Sequence, residues 1–278
     1  MDDLSGYVSD DELAISPLNA LGWQVESVSW RSVNVDWDRF DVVVIRTTWD
    51  YHNAPKEFIL ALKAINRTSA MLENAISIVE WNVDKTYLKD LSERGCKIVP
   101  TIWFNGEIMD SKFAEWQAAH STDELVLKPT ISATAKDTFR LKSINQATAS
   151  VLNGRGIMIQ PFIKNIADEG EYSLFYFNGE YSHAIVKRPK QNDYRVQEEH
   201  GGIISSIEPD SELKHAAFAI QEMITPTPLY SRVDLVRSPS GEFWLMELEL
   251  IEPSLYLRTD KNAPERFAKA IDNRANEL

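Results

Sequence analysis

The hydrophobic positions change rhythm along this chain of 278 residues. The first clear element, Asp41-Val42-Val43-Val44-Ile45-Arg46, is apolar without alternation, as a strand covered on both faces should be. Residues 55–66 read as a helix behind Pro55, which suits a first helical position. A second helix is predicted over 84–93, with Gly95 where a C-cap belongs, and a short third over 113–120. Short strands then take over at 125–128, 138–141 and 157–162. A hairpin follows, with 172–177 and 181–186 flanking Asn178-Gly179. A helix over 211–224, a second hairpin (230–236 and 242–250) and a closing helix over 263–275 complete the pattern. A β/α opening thus gives way to an antiparallel-rich centre and end. The fold class is α+β with an α/β lobe in front.

Composition narrows the function. Forty-two acidic against 29 basic residues leave a net charge of −13. That disfavours nucleic acid or an anionic membrane surface as a partner, although a local basic patch could still take a small anion. The single cysteine, Cys96, makes neither an intrachain disulfide nor a Cys-based zinc site and fits a reducing compartment. No run of 18 apolar residues occurs, and the acidic start lacks the apolar core of a secretory signal, so a cytoplasmic location is expected. Neither G-x-G-x-x-G nor G-x-x-x-x-G-K-[ST] is present, which disfavours a Rossmann or Walker glycine loop.

The second hairpin is the most informative stretch. Alternation places Glu247 and Glu249 on one face. If Arg237 pairs with Glu242, Asp234 faces Leu245 and Arg232 faces Glu247, with Val236, Phe243, Leu245 and Ile251 on the same side and Trp244, Met246, Leu248 and Leu250 opposite. Both faces then look covered. Three half-buried carboxylates repel one another unless a cation sits between them, and one arginine is not enough. A hard divalent cation bound together with substrate phosphates is the favoured answer, a solvated sheet face the alternative.

Lys128 ends an apolar strand, where a lysine usually snorkels to the surface. Lys85 falls in the first turn of the predicted 84–93 helix, where the macrodipole disfavours a cation, so it could serve a ligand. Gln160-Pro161-Phe162-Ile163 could hold a flat base through its backbone, with Glu171 accepting from a ribose hydroxyl; taken alone it is equally an ordinary strand and loop.

In order and approximate spacing, Asn82-Val83-Asp84-Lys85, Val126-Leu127-Lys128-Pro129, Gln160 to Ile163 with Glu171, Arg232-Val233-Asp234 and Met246-Glu247-Leu248-Glu249 resemble the ATP-grasp superfamily over most of the chain. Its nearest branch contains glutathione synthetase, ribosomal S6 modification and D-cycloserine synthetase-like enzymes. Arg46-Thr47-Thr48-Trp49-Asp50-Tyr51 and the run Glu247 to Ser254 point to the last of these. The resemblance implies an ATP-dependent carboxylate–amine ligase, amide-forming or cyclising, that works through an acyl-phosphate on a small amino-acid-like or peptide substrate. Two readings compete with it: a nucleotide-binding homologue without catalysis, and a phosphotransferase. The implied units are an N-terminal lobe (1–80), a linking helix and start of the ATP-grasp module (81–122), a small central lobe (123–190) and a C-terminal lobe with the metal hairpin (191–278).

The resemblance also implies roles. Lys85, Lys128 and Lys187 would contact ATP phosphates, Gln160, Phe162 and Ile163 the adenine, and Glu171 the ribose. Asp234, Glu247 and Glu249 would hold two Mg²⁺ ions. Arg232, with Lys128 and Arg195, would stabilise the reacting phosphoryl and acyl groups, and Arg188 would lie near substrate. The chain departs from the pattern in three ways. The loop Thr130 to Asp137 after Lys128 has no glycine, the metal motif reads Glu-x-Glu, and no strand precedes the first helix. A strand missing there would leave 42–46 with an open edge that a second copy could cover, as in a homodimer.

Arg46, Trp49, Asp50 and Tyr51 sit past the carboxyl end of the first strand, where open sheets bind ligands. Arg46 either clamps a substrate carboxylate or joins an ordinary structural Arg–Asp pair, and both readings stand. Ser254 is a further substrate candidate. Trp103 and Trp116 read as packing residues. The five histidines show no metal-ligand spacing; His52 and His183 are the two to follow.

Overall fold

A computed structural model describes residues 1–191 and 193–277. In chain order it contains α1 (Ile15–Ala20), β1 (Val42–Val44), α2 (Pro55–Ile65), β2 (Met71–Glu73), α3 (Ile76–Asn82), α4 (Tyr87–Glu93), β3 (Ile102–Asn105), α5 (Asp110–His120), β4 (Leu125–Pro129), β5 (Phe139–Leu141), α6 (Gln146–Leu152), β6 (Gly156–Pro161), α7 (Asn165–Asp168), β7 (Glu171–Phe177), β8 (Glu180–Arg188), β9 (Ile203–Ile207), α8 (Ser211–Gln221), β10 (Tyr230–Arg237), β11 (Phe243–Glu249) and α9 (Ala263–Asn276). The α+β class is as expected. No helix among the described residues is long and apolar enough to cross a membrane.

The strands form three sheets. Among the described residues β1 pairs only with β2, in parallel, and its residues are half-buried rather than covered on both faces. Four strands in the order β3-β6-β4-β5 make the second sheet, and five in the order β11-β10-β7-β8-β9 the third. This pairing divides the chain differently from the expected 123–190 lobe. β3 joins the four-stranded sheet from before residue 123, and the β7–β8 hairpin pairs with β10 in the five-stranded one. β3 and β9 were not expected, because Ile102 to Asn105 and Ile203 to Ile207 are too short and mixed to stand out.

Two local departures matter for the site. The predicted 84–93 helix is shorter: α3 ends at Asn82, α4 starts at Tyr87, and Lys85 lies in the turn between them. The second hairpin is offset from its expected register. Arg237 pairs with Phe243, and a bulge beside Asp234 leaves Met246 unpaired, so that Asp234 faces Glu247 and Arg232 faces Glu249. The bulge reverses the faces beyond it. Phe243 and Leu245 pack in the core with Val233, Leu235 and Leu248, whereas Trp244 and Met246 turn to the side of Val99, Ile163 and Val236. Ideal alternation would have sent Phe243, Trp244, Leu245 and Met246 to the wrong side.

Candidate active site

Residues of the four- and five-stranded sheets line one cavity. Its apolar end is made by Val99, Val126, Phe162, Ile163, Val196 and Met246. Gln160 also lines it, and its side-chain amide donates to Thr101 Oγ at 2.8 Å. The guanidinium of Arg140 lies 3.6 Å from the centre of the Phe162 ring, a cation–π contact.

The other end is charged. Gly170 adopts φ +108°, and a Cβ there would lie 2.7 Å from Lys187 O, so glycine lets β7 start hard against β8. That start places Glu171 opposite Lys187 in the ladder, with Lys187 Nζ 2.5 Å from Glu171 Oε1 and 3.4 Å from Asp234 Oδ1. Arg232 grips Asp234 in a fork, Nε to Oδ1 at 3.0 Å and Nη2 to Oδ2 at 2.9 Å, and also reaches Glu249. Lys85 Nζ lies 3.0 Å from Glu247 Oε1 and donates to Ser132 O at 2.6 Å.

Burial works against the Asp234 carboxylate, but Arg232 and Lys187 outweigh it and hold it at about 2. For Glu249 burial wins over the Arg232 contact, and Asp234 and Glu247 add to it, pushing this carboxyl up to about 7. Burial first and Glu249 next push Glu252 well above the ordinary carboxylate range. Lys128 is 8% exposed and has neither a hydrogen bond nor an ion pair among the described residues. Its burial lowers the ammonium's pKa despite the pull of Glu247. It is a buried cation with no direct partner among the described residues, not a snorkelling surface lysine.

Among the described residues no three His, Cys, Asp or Glu side chains converge as a ready metal cage. The expected trio is divided by its cations. Asp234, 2% exposed, is spent on Arg232, Lys187 and Ser173. Glu247 and Glu249 keep 28% and 27% of their side chains open. As hard oxygen donors these two fit Mg²⁺ that also takes phosphate oxygens. Charge argues the same way: the lining carries Lys85, Lys128, Lys187, Arg195 and Arg232 against six carboxyl groups, so a triphosphate needs divalent cations to enter.

Two irregular segments wall the cavity. The loop after β4, Thr130 to Thr138, turns through left-handed non-glycine residues, Thr134, Ala135 and Asp137, at φ 53°, 54° and 57°. It is moored by Thr130 to Asp84, by Lys136 to Asn53 at 2.8 Å and by Arg155 to Asp137 at 2.7 Å.

The strap after β11, Leu250 to Tyr256, has each carbonyl within reach of a side-chain donor. Leu250 O accepts from Asn74 at 2.7 Å, Ile251 O lies 2.8 Å from the Tyr230 hydroxyl, and Glu252 O accepts from Trp49 Nε1 at 2.8 Å. Pro253 O accepts from Arg46 at 2.7 Å, Ser254 O from Arg232 at 3.2 Å, Leu255 O from His183 at 2.9 Å and Tyr256 O from Thr259 at 2.8 Å.

This strap decides where the remaining candidates fall. Arg46 is a structural anchor that also pairs with Asp11 at 2.9 Å, and it does not line the cavity. Asp50 accepts from Trp30 and Arg31, away from the cavity. Trp49 and Ser254 do line it. Arg195 lines it too, held by Asp193 at 3.0 Å, while Arg188 is exposed at the end of β8 and outside it. Tyr51, which follows Trp49 and Asp50 past the end of the first strand, lines the cavity, and so do Met246, Glu252 and Tyr256, which were not expected. Only a structure reveals the bulge behind Met246, but Glu252 and Ser254 already stood in one motif.

Comparison with known proteins agrees with this geometry. The family model of the D-cycloserine synthetase DcsG N-terminal domain matches residues 1–74. The cycloserine biosynthesis protein DcsG of Streptomyces lavendulae is 30% identical over 269 residues, 91% of this chain and 90% of that protein. The crystal structure of a D-cycloserine synthetase DcsG superposes with a TM-score of 0.84 at 28% identity, covering 95% of this chain and 94% of that one. A D-alanine–D-alanine ligase from Bacillus anthracis shares the fold at a TM-score of 0.64 and 16% identity, covering 97% and 95% of the two chains. The fold is that of an ATP-grasp ligase, an enzyme rather than a silent nucleotide binder. Within that class the chain belongs to the DcsG family.

Proposed function

We propose that the enzyme uses ATP to join a carboxylate to an amine-type nitrogen, within one molecule or between two, on a small amino-acid-like or peptide substrate. The carboxylate oxygen attacks the γ-phosphorus, the bond to the β-phosphate oxygen breaks, and ADP leaves. The nitrogen then attacks the acyl carbon, the bond to phosphate breaks, and the nitrogen gives up a proton. The observation that carries this reading is Lys128, a buried cation with no hydrogen-bond or ion-pair partner among the described residues, which lines the cavity together with Lys85 and Lys187.

Each residue has a task. Lys85, Lys128 and Lys187 neutralise the phosphates, and the apolar end with Gln160, Phe162 and Ile163 takes the base, with Glu171 at the ribose. Arg232 and Arg195 meet charge that develops on the transferring phosphoryl and the acyl carbon. Glu247 and Glu249 would hold Mg²⁺, with Asp234 as the third carboxylate of the set. Bound there, Mg²⁺ draws charge from the phosphoryl oxygens. A cytoplasmic setting belongs to the same reading. D-cycloserine, named in the relatives, is the first product to look for. Hydroxylamine trapping tests the chemistry: an acyl-phosphate gives a hydroxamate along with ADP, whereas ADP without hydroxamate indicates a phosphotransferase acting on another group.

A further inference from the structure

The strap's backbone and side chains do separate jobs. Its carbonyls are taken up by donors from distant parts of the chain, among them Arg46, Trp49, Arg232 and His183. Its side chains alternate. Ile251 and Leu255 enter two different hydrophobic cores, while Glu252, Ser254 and Tyr256 line the cavity. An irregular segment held this way cannot shift to suit its own side chains. The groups it presents are therefore preset, as recognition demands.

Two of those groups are unclaimed. The Glu252 carboxylate has no hydrogen bond and no ion pair among the described residues, although every other carboxylate deep in the cavity is matched to a lysine or arginine. The Tyr256 phenol, in a residue 7% exposed, likewise has no hydrogen-bond partner among the described residues. Tyr256 is also left-handed at φ 46°, the only such non-glycine residue in the strap. Arg258 stacks its guanidinium 5.1 Å from the ring centre and Phe175 packs 6.2 Å away, so the ring is fixed. Strain held at a cavity wall by surrounding contacts marks a functional position.

We propose that Glu252 receives the ammonium group of an amino-acid substrate and that the Tyr256 hydroxyl donates to its carboxylate beside Arg232. Arg46 and Trp49 are then positioning residues that act through the strap. This assignment rests on the ligase reading and narrows its substrate to molecules with a free ammonium. An unmatched carboxylate facing a cavity is satisfied by a cation, and the two cations that act on Glu252, Lys85 and Arg232, are already engaged with Glu247, Asp234 and Glu249.

The test compares the wild type with Glu252→Gln, Glu252→Asp and Tyr256→Phe. Each is melted with and without Mg·ATP and assayed for ADP release with a pool of free D- and L-amino acids and with the same pool N-acetylated. The wild type should turn over only the free pool. Glu252→Gln should keep the Mg·ATP melting shift while KM for the active amino acid rises at least tenfold, and Glu252→Asp should recover part of that loss. Tyr256→Phe should lower kcat/KM about tenfold with the shift intact. Equal turnover of the acetylated pool, or an unchanged KM in Glu252→Gln, overturns the assignment. Loss of the Mg·ATP shift in Glu252→Gln also overturns it, since that would make Glu252 a metal ligand. A wild type that shows the shift but turns over neither pool refutes the amino-acid substrate. A wild type without the shift removes the ligase reading itself, and the assignment falls with it.

Discussion

The loop after β4 and the strap after β11 wall the same cavity and are built in opposite ways. The strap is irregular but tied: along Leu250 to Tyr256 each carbonyl has a side-chain donor nearby, most of them from distant segments. The loop is tied chiefly at its ends and through its side chains, Thr130 to Asp84, Lys136 to Asn53 and Asp137 to Arg155, while its middle turns through left-handed backbone at Thr134, Ala135 and Asp137. Such a conformation costs about 1–2 kcal/mol for each non-glycine residue. A wall whose carbonyls are fixed by the rest of the fold holds its side chains in preset positions, whereas a wall that turns through left-handed residues carries strain in its own backbone.

Arg232 links the strap to the charged end, because it donates to Ser254 O while gripping Asp234. Asp234→Asn should therefore cost most. It leaves Arg232 and Lys187 short of a buried counter-charge, a loss of roughly 3 kcal/mol or more. Urea unfolding of the ligand-free protein measures it; an unchanged midpoint would mean that Arg232 does not depend on this pair.

His183 sharpens the same picture. A carbonyl only accepts, so Nε2 carries the proton that bonds Leu255 O, and Nδ1 accepts from Ser182. Burial pushes this imidazole down to about 4, against 6.5 in the unfolded chain. Between those values the unfolded chain holds a proton that the native one refuses. The stability tied to neutral His183 is thus complete above pH 6.5 and is lost as pH falls toward 4, a change of up to about 3 kcal/mol. His183→Gln keeps a donor and removes the titration. Its stability should fall less steeply over this range than that of the wild type, and parallel curves would refute the account.

On the loop the expected effect is smaller and of opposite sign. Ala135→Gly relieves left-handed strain and offsets it with unfolded-state entropy, so stability should rise by about 0.5 kcal/mol. A fall would show that the backbone there is unstrained.

Much of this site is legible in the sequence because charge out of place is informative. Lys85 and Lys128 beside apolar runs, and Asp234, Glu247 and Glu249 in one hairpin, are hard to explain without a ligand. All of them line the cavity. What escaped depends on distant partners or on breaks in periodicity. No alternation rule foresees a bulge at Met246, and nothing local tells that Arg46 reaches Pro253 rather than a substrate. The short strands β3 and β9 exist because a neighbour accepts them, not because their residues insist on it.

The most direct test of the account is thermal melting of the wild type and Lys128→Met, each with and without Mg·ATP. At about a hundred times its dissociation constant the nucleotide adds ~2.7 kcal/mol, which should raise the wild-type midpoint by roughly 5 °C. Lys128→Met removes an unpaired buried cation, so its ligand-free midpoint should equal or exceed the wild type's while the Mg·ATP rise disappears. A rise of equal size in Lys128→Met, or none in the wild type, would contradict the nucleotide site described here.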